Sequence, residues 1–303
     1  MSEYFDKWIT KFKESIDKKE ENDVFKLKEE LDVFIRKQRY ARVSTTFSDW
    51  DIATQGFKEG SINLIATHKG ACKQAFVNSI VSRFAQRKLG KLAIISFREK
   101  AEYYWKRLLS SISGLSTYKL DLMTLEPHEI DVYKEGFKSL TNLDITINNF
   151  DYYQFEAFSE YLGHITTIES YELIILDDIN TLRRNADFVK TLRHLGTVVK
   201  NVKTVFVFLS QIECDLQNRI GFSKRPRIED VELSKGQLKY FNQVALLWRP
   251  SYYLLNAWDI YDNENTEDQG ELIISKSDTG RHNFRLIFKA SWGLYEDFKN
   301  RND

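Results

Sequence analysis

Short apolar runs alternating with segments of helical period constrain this chain more than any other feature. "INLIAT" (62–67), "KLAIIS" (91–96), "YELIILDD" (171–178), "TVFVFLS" (204–210) and "QVALLWR" (243–249) are apolar at neighbouring as well as alternate positions. Such strands must be covered on both faces, which is the condition of a mostly parallel sheet with helices on either side. Between them, the spacing predicts helices over 73–88, 99–113, 117–142, 153–167 and 183–200. "LDITINN" adds a strand, and "NFRLIFKA" closes the sheet. The stretch at 254–278, "LLNAWDIYDNENTEDQGELIISKSD", reads as a hairpin with an acidic tip. The expected fold class is therefore α/β, and 303 residues suffice for a sizeable core.

Ahead of this body, Phe5, Trp8, Ile9, Phe12 and Ile16 lie on one helical face, and Val24, Leu27, Leu31, Phe34 and Ile35 on another. Residues 1–43 are thus expected to form an amphipathic helical arm, and 44–303 the globular domain. The arm folds back on its own domain or docks on a neighbouring subunit. A formal net charge of zero excludes a strongly basic protein, so nucleic-acid binding would need a local patch. The two cysteines, Cys72 and Cys214, lack metal-ligand spacing. The opening "MSEYFDKWITKF" scatters charge through its apolar residues, unlike a signal peptide, and no apolar run reaches membrane-spanning length. A cytoplasmic protein without membrane association is the expectation.

The chemistry centres on "ATHKGACKQAF" (66–76). A phosphate-binding loop reads G-x-x-x-x-G-K-[ST], and those eight places here read Thr67, His68, Lys69, Gly70, Ala71, Cys72, Lys73 and Gln74. Only the lysine is kept. Its context is the strand–loop–helix that such a loop requires, and about a hundred residues later "LIILDD" ends a strand in Asp177, as a Walker B strand does. Alone, these are equally an exposed lysine and an ordinary strand-end carboxylate.

Across residues 44–303 the chain resembles the C-terminal, RecA-like core of the DnaB family of replicative helicases. "TTFSDWDIATQGFKEGSINLIAT", with Phe47, Asp51, Gly56 and Gly60, is similar to the family's entry segment. "AIISFREKAEYYWKRLLSSISGL", "ELIILDDINTL", "VFVFLSQIECDLQNRIGFSKRPRIEDV", "VALLWRPSYY" and "GELIISKSDTGRHNFRLIFKASWGLYED" resemble its successive motifs in order. The resemblance implies a RecA-like P-loop NTPase core, with a mostly parallel twisted sheet flanked by helices, a C-terminal β-hairpin and an N-terminal helical arm. It implies ATP and Mg²⁺ as the ligands, met by vestigial nucleotide-site positions Lys73, Gln74, Asp177, Gln211 and Lys276, with Asp177 toward the metal.

The departures fall on catalytic positions. Cys72 replaces a glycine whose lack of a Cβ lets backbone approach phosphate. Gln74 replaces the metal-binding hydroxyl. Arg98 stands where the family has its catalytic glutamate, and Glu99, next along a strand, is expected on the other face. Asp278 replaces the arginine finger, a group worth about 10³–10⁵ in rate. The expected function is a helicase-fold protein deficient in ATP hydrolysis. It would be a scaffold or accessory factor in DNA replication, recombination or a mobile element. The alternatives are an active divergent helicase, and a structural subunit that binds neither ATP nor DNA. Arg219, Lys224, Arg225 and Arg227 make a local basic cluster and are the expected contacts to single-stranded DNA, unless they form a solvated loop; the basic "QRKLGK" at 86–91 is expected to serve a helix end. The resemblance also implies self-association, or association with a related RecA-like subunit, through the arm.

Overall fold

A strand buried along both faces lies at the centre of the sheet. The computed structural model describes residues 42–150, 154–184, 187–259, 261–262 and 264–298; the helices expected before residue 42 lie outside them. The parallel part of the sheet comprises β1 (Ser61–His68), β2 (Leu92–Ser96), β3 (Ile145–Asn149), β4 (Leu173–Asp177), β5 (Val205–Ile212) and β6 (Gln243–Trp248). It continues antiparallel through β7 (Gln269–Lys276), β8 (His282–Lys289) and β9 (Leu294–Asp297). The order across the nine strands is β9-β8-β7-β6-β1-β5-β4-β2-β3.

Alternate residues of the central strands enter two separate apolar layers. Ile65, Ile94, Ile175, Val207 and Leu247 face one, while Leu64, Ile95, Ile174, Phe208 and Leu246 face the other. The first layer is closed by α2 (Lys73–Gln86), α3 (Ala101–Ser113) and α5 (Pro127–Thr141), the second by α6 (Phe155–Thr167) and α8 (Phe188–Val198). This is the two-sided burial that runs of consecutive apolar residues require. Three shorter helices complete the set named here: α1 (Ser48–Thr54), α4 (Thr117–Leu122) and α7 (Ile179–Arg183).

Several local expectations change. The helical stretch expected over 117–142 is two helices, α4 and α5, because Pro127 and a Glu126–Glu129 capping box start a new helix. The first arm of the expected acidic hairpin is a loop. The hairpin instead joins β7 to β8 through Ser277–Arg281, and the acidic stretch folds over it so that Asp262 and Glu264 clasp Arg285. Strand β9 has no counterpart among the expected elements; Gly293, at φ +58, turns the chain back to pair Leu294–Asp297 with β8.

The entry to β1 is tied across the sheet. Trp50 Nε1 donates to Gln243 Oε1 at 2.9 Å, and Gln243 Nε2 donates to the Gly56 carbonyl at 2.7 Å. Gly60 then turns into β1 at φ +61, where a Cβ would stand 2.4 Å from the Val199 carbonyl oxygen. A left-handed conformation beside a fixed carbonyl leaves glycine as the one residue that fits. Gly60→Ala is expected to destabilise the fold by about 3 kcal/mol, read as a lower urea midpoint with an unchanged slope.

Candidate functional site

The carboxyl ends of β1, β2, β4 and β5 open onto one cleft, the position at which an open parallel sheet binds ligands. Its volume is about 410 Å³, and Lys73, Arg98, Glu99, Asp177, Asp178 and Gln211 are among its lining residues. The loop from β1 into α2 forms one wall. Within it the Ala71 N–H is turned inward to the His68 carbonyl at 2.9 Å. The loop carbonyls are held from the antiparallel side of the sheet. Arg249 Nη1 donates to Gly70 O at 3.1 Å, and the Tyr295 hydroxyl donates to Ala71 O at 2.8 Å. The Tyr252 ring lies against Gly70, where a Cβ would come within 2.0 Å of it. Cys72 caps α2 at φ +54, a left-handed conformation carried here by a residue with a Cβ.

Lys73, the first residue of α2, turns into the end of β4. Its Nζ lies 2.5 Å from Asp177 Oδ1 and 3.4 Å from Asp178 Oδ2. The side chains are 13% exposed for Lys73 and 3% for Asp177, so the exposed-lysine alternative falls. The two adjacent carboxylates both reach Lys73. Burial draws the Lys73 ammonium down, but Asp177 and Asp178 outweigh it and leave the pKa above the ordinary lysine value.

The other oxygen of Asp177 is taken as well. Gln74 Nε2 donates to Oδ2 at 2.5 Å and the Tyr104 hydroxyl donates to it at 2.7 Å. Burial, and then the Asp177 charge, push the Tyr104 phenol well above its ordinary value, so it stays a donor. Asp178 Oδ1 meanwhile accepts from Thr181 N at 3.0 Å and so caps α7. Tyr104 is the member of this cluster that sequence spacing does not single out. It reaches Asp177 from α3, and only the fold brings the two together.

Glu99 corrects an expectation. Strand β2 ends at Ser96, and the following bend is fixed by N–H bonds from Arg98 and Glu99 to Ser96 Oγ. Strand alternation no longer applies, so Glu99 lines the cleft beside Arg98, their side chains 3.5 Å apart. Arg98 is 73% exposed. Gln211 lines the cleft at the end of β5, and its backbone is pinned to Asn180: Gln211 N donates to Asn180 Oδ1 at 2.9 Å.

Other candidate residues lie elsewhere. Lys276 donates to the carbonyls of Leu238 and Phe241, at 2.9 and 2.5 Å. Burial lowers its pKa against the pull of Asp278, which sits on the exposed β7–β8 turn. Within the basic cluster, two guanidiniums already have carboxylate partners. Arg219 pairs with Asp230 at 3.0 Å, and Arg225 grips Glu271 at 2.7 and 2.6 Å. Lys224 lies 5.8 Å from the Tyr253 ring, and Arg227 is exposed. The cluster is therefore partly structural.

A divalent cation does not fit the Asp177 end of the cleft. Magnesium demands oxygen ligands in octahedral geometry at about 2.0–2.1 Å, whereas Asp177 Oδ2 faces N–H and O–H hydrogens from Gln74 and Tyr104. Among the described residues, no group of three or more His, Cys, Asp or Glu side chains is placed to hold a metal. No helix among them is long and apolar enough to cross a membrane. The buried pair makes a stability prediction. Asp177→Ala, which leaves Lys73 without its partner, is expected to cost about 3 kcal/mol in urea unfolding, and Lys73→Met with Asp177→Leu to recover much of it.

Comparison with known proteins agrees with this fold. The model of the DnaB-like helicase C terminal domain matches residues 42–297. A probable replicative DNA helicase of Trieres chinensis is 24% identical over 270 residues, covering 85% of this chain and 58% of that protein. One from Guillardia theta is 25% identical over 251 residues, 75% of this chain and 41% of that protein. The chain thus spans about half the length of these relatives. A DnaB-like replicative helicase, solved in a study of its interactions with primase, superposes with a TM-score of 0.74 at 17% identity, covering 98% of this chain and 77% of that one. A separately solved ATPase domain superposes at 0.72 and 16% identity, covering 90% of this chain and 99% of that one. With its RecA-like sheet, its lysine-bearing loop and a family match over most of its length, the chain belongs to the DnaB-like helicase C-terminal domain family.

Proposed function

We propose that this chain is a helicase-fold subunit in DNA replication that does not hydrolyse ATP. It acts as a scaffold or accessory factor, binds single-stranded DNA, and associates with copies of itself or with a related RecA-like subunit through the arm at 1–43. The observation that carries the loss of hydrolysis is Asp177, whose oxygens are occupied by Lys73, Gln74 and Tyr104. No hydroxyl stands at position 74 to hold a metal, and the finger position is a carboxylate, which puts negative charge where charge develops. Arg98 places a guanidinium where the family has a carboxylate, and a guanidinium cannot serve as a base.

One observation favours the divergent active enzyme: Glu99 faces the cleft one residue after the family's glutamate position. Phosphate release from ATP·Mg²⁺, with and without single-stranded DNA, separates the readings. The wild-type rate is expected to equal that of Lys73→Ala. Release that DNA stimulates, and that Lys73→Ala and Glu99→Gln each abolish, would restore an active helicase.

For DNA contact, the exposed Arg227 and the half-buried Lys224 are the donors left in the basic loop, since Arg219 and Arg225 hold carboxylates. Arg227→Ala is expected to weaken binding of a fluorescent oligonucleotide and to reduce the slope of log K against log salt by about 0.7. An unchanged slope would remove Arg227 from the interface.

A further inference from the structure

We propose that the cleft binds a phosphate chain, as in a nucleoside triphosphate, without a divalent cation, the Gln74 amide standing against Asp177 in the cation's place. Three features converge on this. Lys73, Gln74 and Tyr104 supply the positive charge and hydrogens that a bound cation would otherwise bring to the Asp177 carboxylate. Asp178, the neighbouring carboxylate, caps α7 and faces Lys73, so it is not open to a metal either. The cleft nevertheless keeps its room, about 410 Å³, and is lined by Lys69 as well as Lys73, with Arg98 beside Glu99 and Arg107 held by Asp121 at 2.8 Å.

The electrostatics follow from these placements. A magnesium-bound triphosphate would bring its cation toward the hydrogens on Asp177 Oδ2 and would have to displace both donors. A metal-free triphosphate brings only anionic oxygens, which the amide and ammonium hydrogens tolerate. Magnesium should therefore weaken binding here, opposite in sign to a site that holds the cation between a hydroxyl and a carboxylate. The proposal shares Asp177 with the proposed loss of hydrolysis, and the outcomes below separate them.

The test is a fluorescence-anisotropy titration of a fluorescent ATP analogue with the full chain, in EDTA and in millimolar Mg²⁺. Binding is expected in EDTA, weakened by about tenfold on adding Mg²⁺, competed by inorganic tripolyphosphate and lost in Lys73→Ala. Gln74→Thr, which restores a hydroxyl, is expected to reverse the sign so that Mg²⁺ strengthens binding. Binding by the wild type only when Mg²⁺ is present would overturn the proposal, and with phosphate release it would overturn the proposed inactivity too. No binding in EDTA, or a failure of tripolyphosphate to compete, overturns this proposal and leaves the inactivity standing. A Gln74→Thr variant still weakened by Mg²⁺ would show that Gln74 does not set the sign.

Discussion

A carboxylate buried at the end of a parallel strand has to find donors, and Asp177 draws them from two helices on the same side of the sheet. Lys73 and Gln74 come from the first turn of α2, and Tyr104 from α3. The cluster therefore ties β4 to two elements that reach it from other parts of the chain. The charge is nearly out of water, so an unpaired member would be costly, and the mutual attraction is strong only because the geometry is tight. The Asp177 carboxylate is a joint between these elements, both of its oxygens engaged by donors from the two helices.

The loop opposite is held just as firmly, from the other half of the sheet. Arg249 after β6 and Tyr295 on β9 each bond a loop carbonyl, and Arg249 also lies over Phe288 at 4.1 Å. Arg83, on α2, donates to Tyr295 O at 2.5 Å and lies 4.7 Å from the Phe47 ring. The antiparallel strands are thus part of the site's support. They fix the loop's carbonyls, and one loop N–H is turned away to His68.

Much of the fold is legible because the central strands bury both faces, which writes itself as short, mainly apolar runs in β1, β4 and β5. Asp177 is read from the end of such a run, Lys73 from the strand–loop–helix around it and Gln211 from the family resemblance, and the structure brings the three to one cleft. What escapes depends on pairings between distant residues. Glu99 defeats strand alternation because the strand stops three residues earlier, at a bend that Ser96 organises. Arg219 and Arg225 read as free cations because Asp230 and Glu271, their partners, are 11 and 46 residues away. Lys276, which the resemblance counts among the nucleotide-site positions, gives hydrogens to two carbonyls of its own chain, a contact that no spacing announces. The short β9 carries too few residues to show a period.

The contact between Gly70 and Tyr252 has a consequence for how relatives of this chain can differ. The ring occupies the volume in which any side chain at position 70 would begin. A larger residue at 70 is admissible only where 252 has shrunk or turned away, and a bulky ring at 252 is admissible only over glycine. The two positions, 182 residues apart in the chain, are therefore steric partners whose substitutions must arise as compensating pairs. In this loop glycine at position 70 is required by what leans on it from outside, the Tyr252 ring.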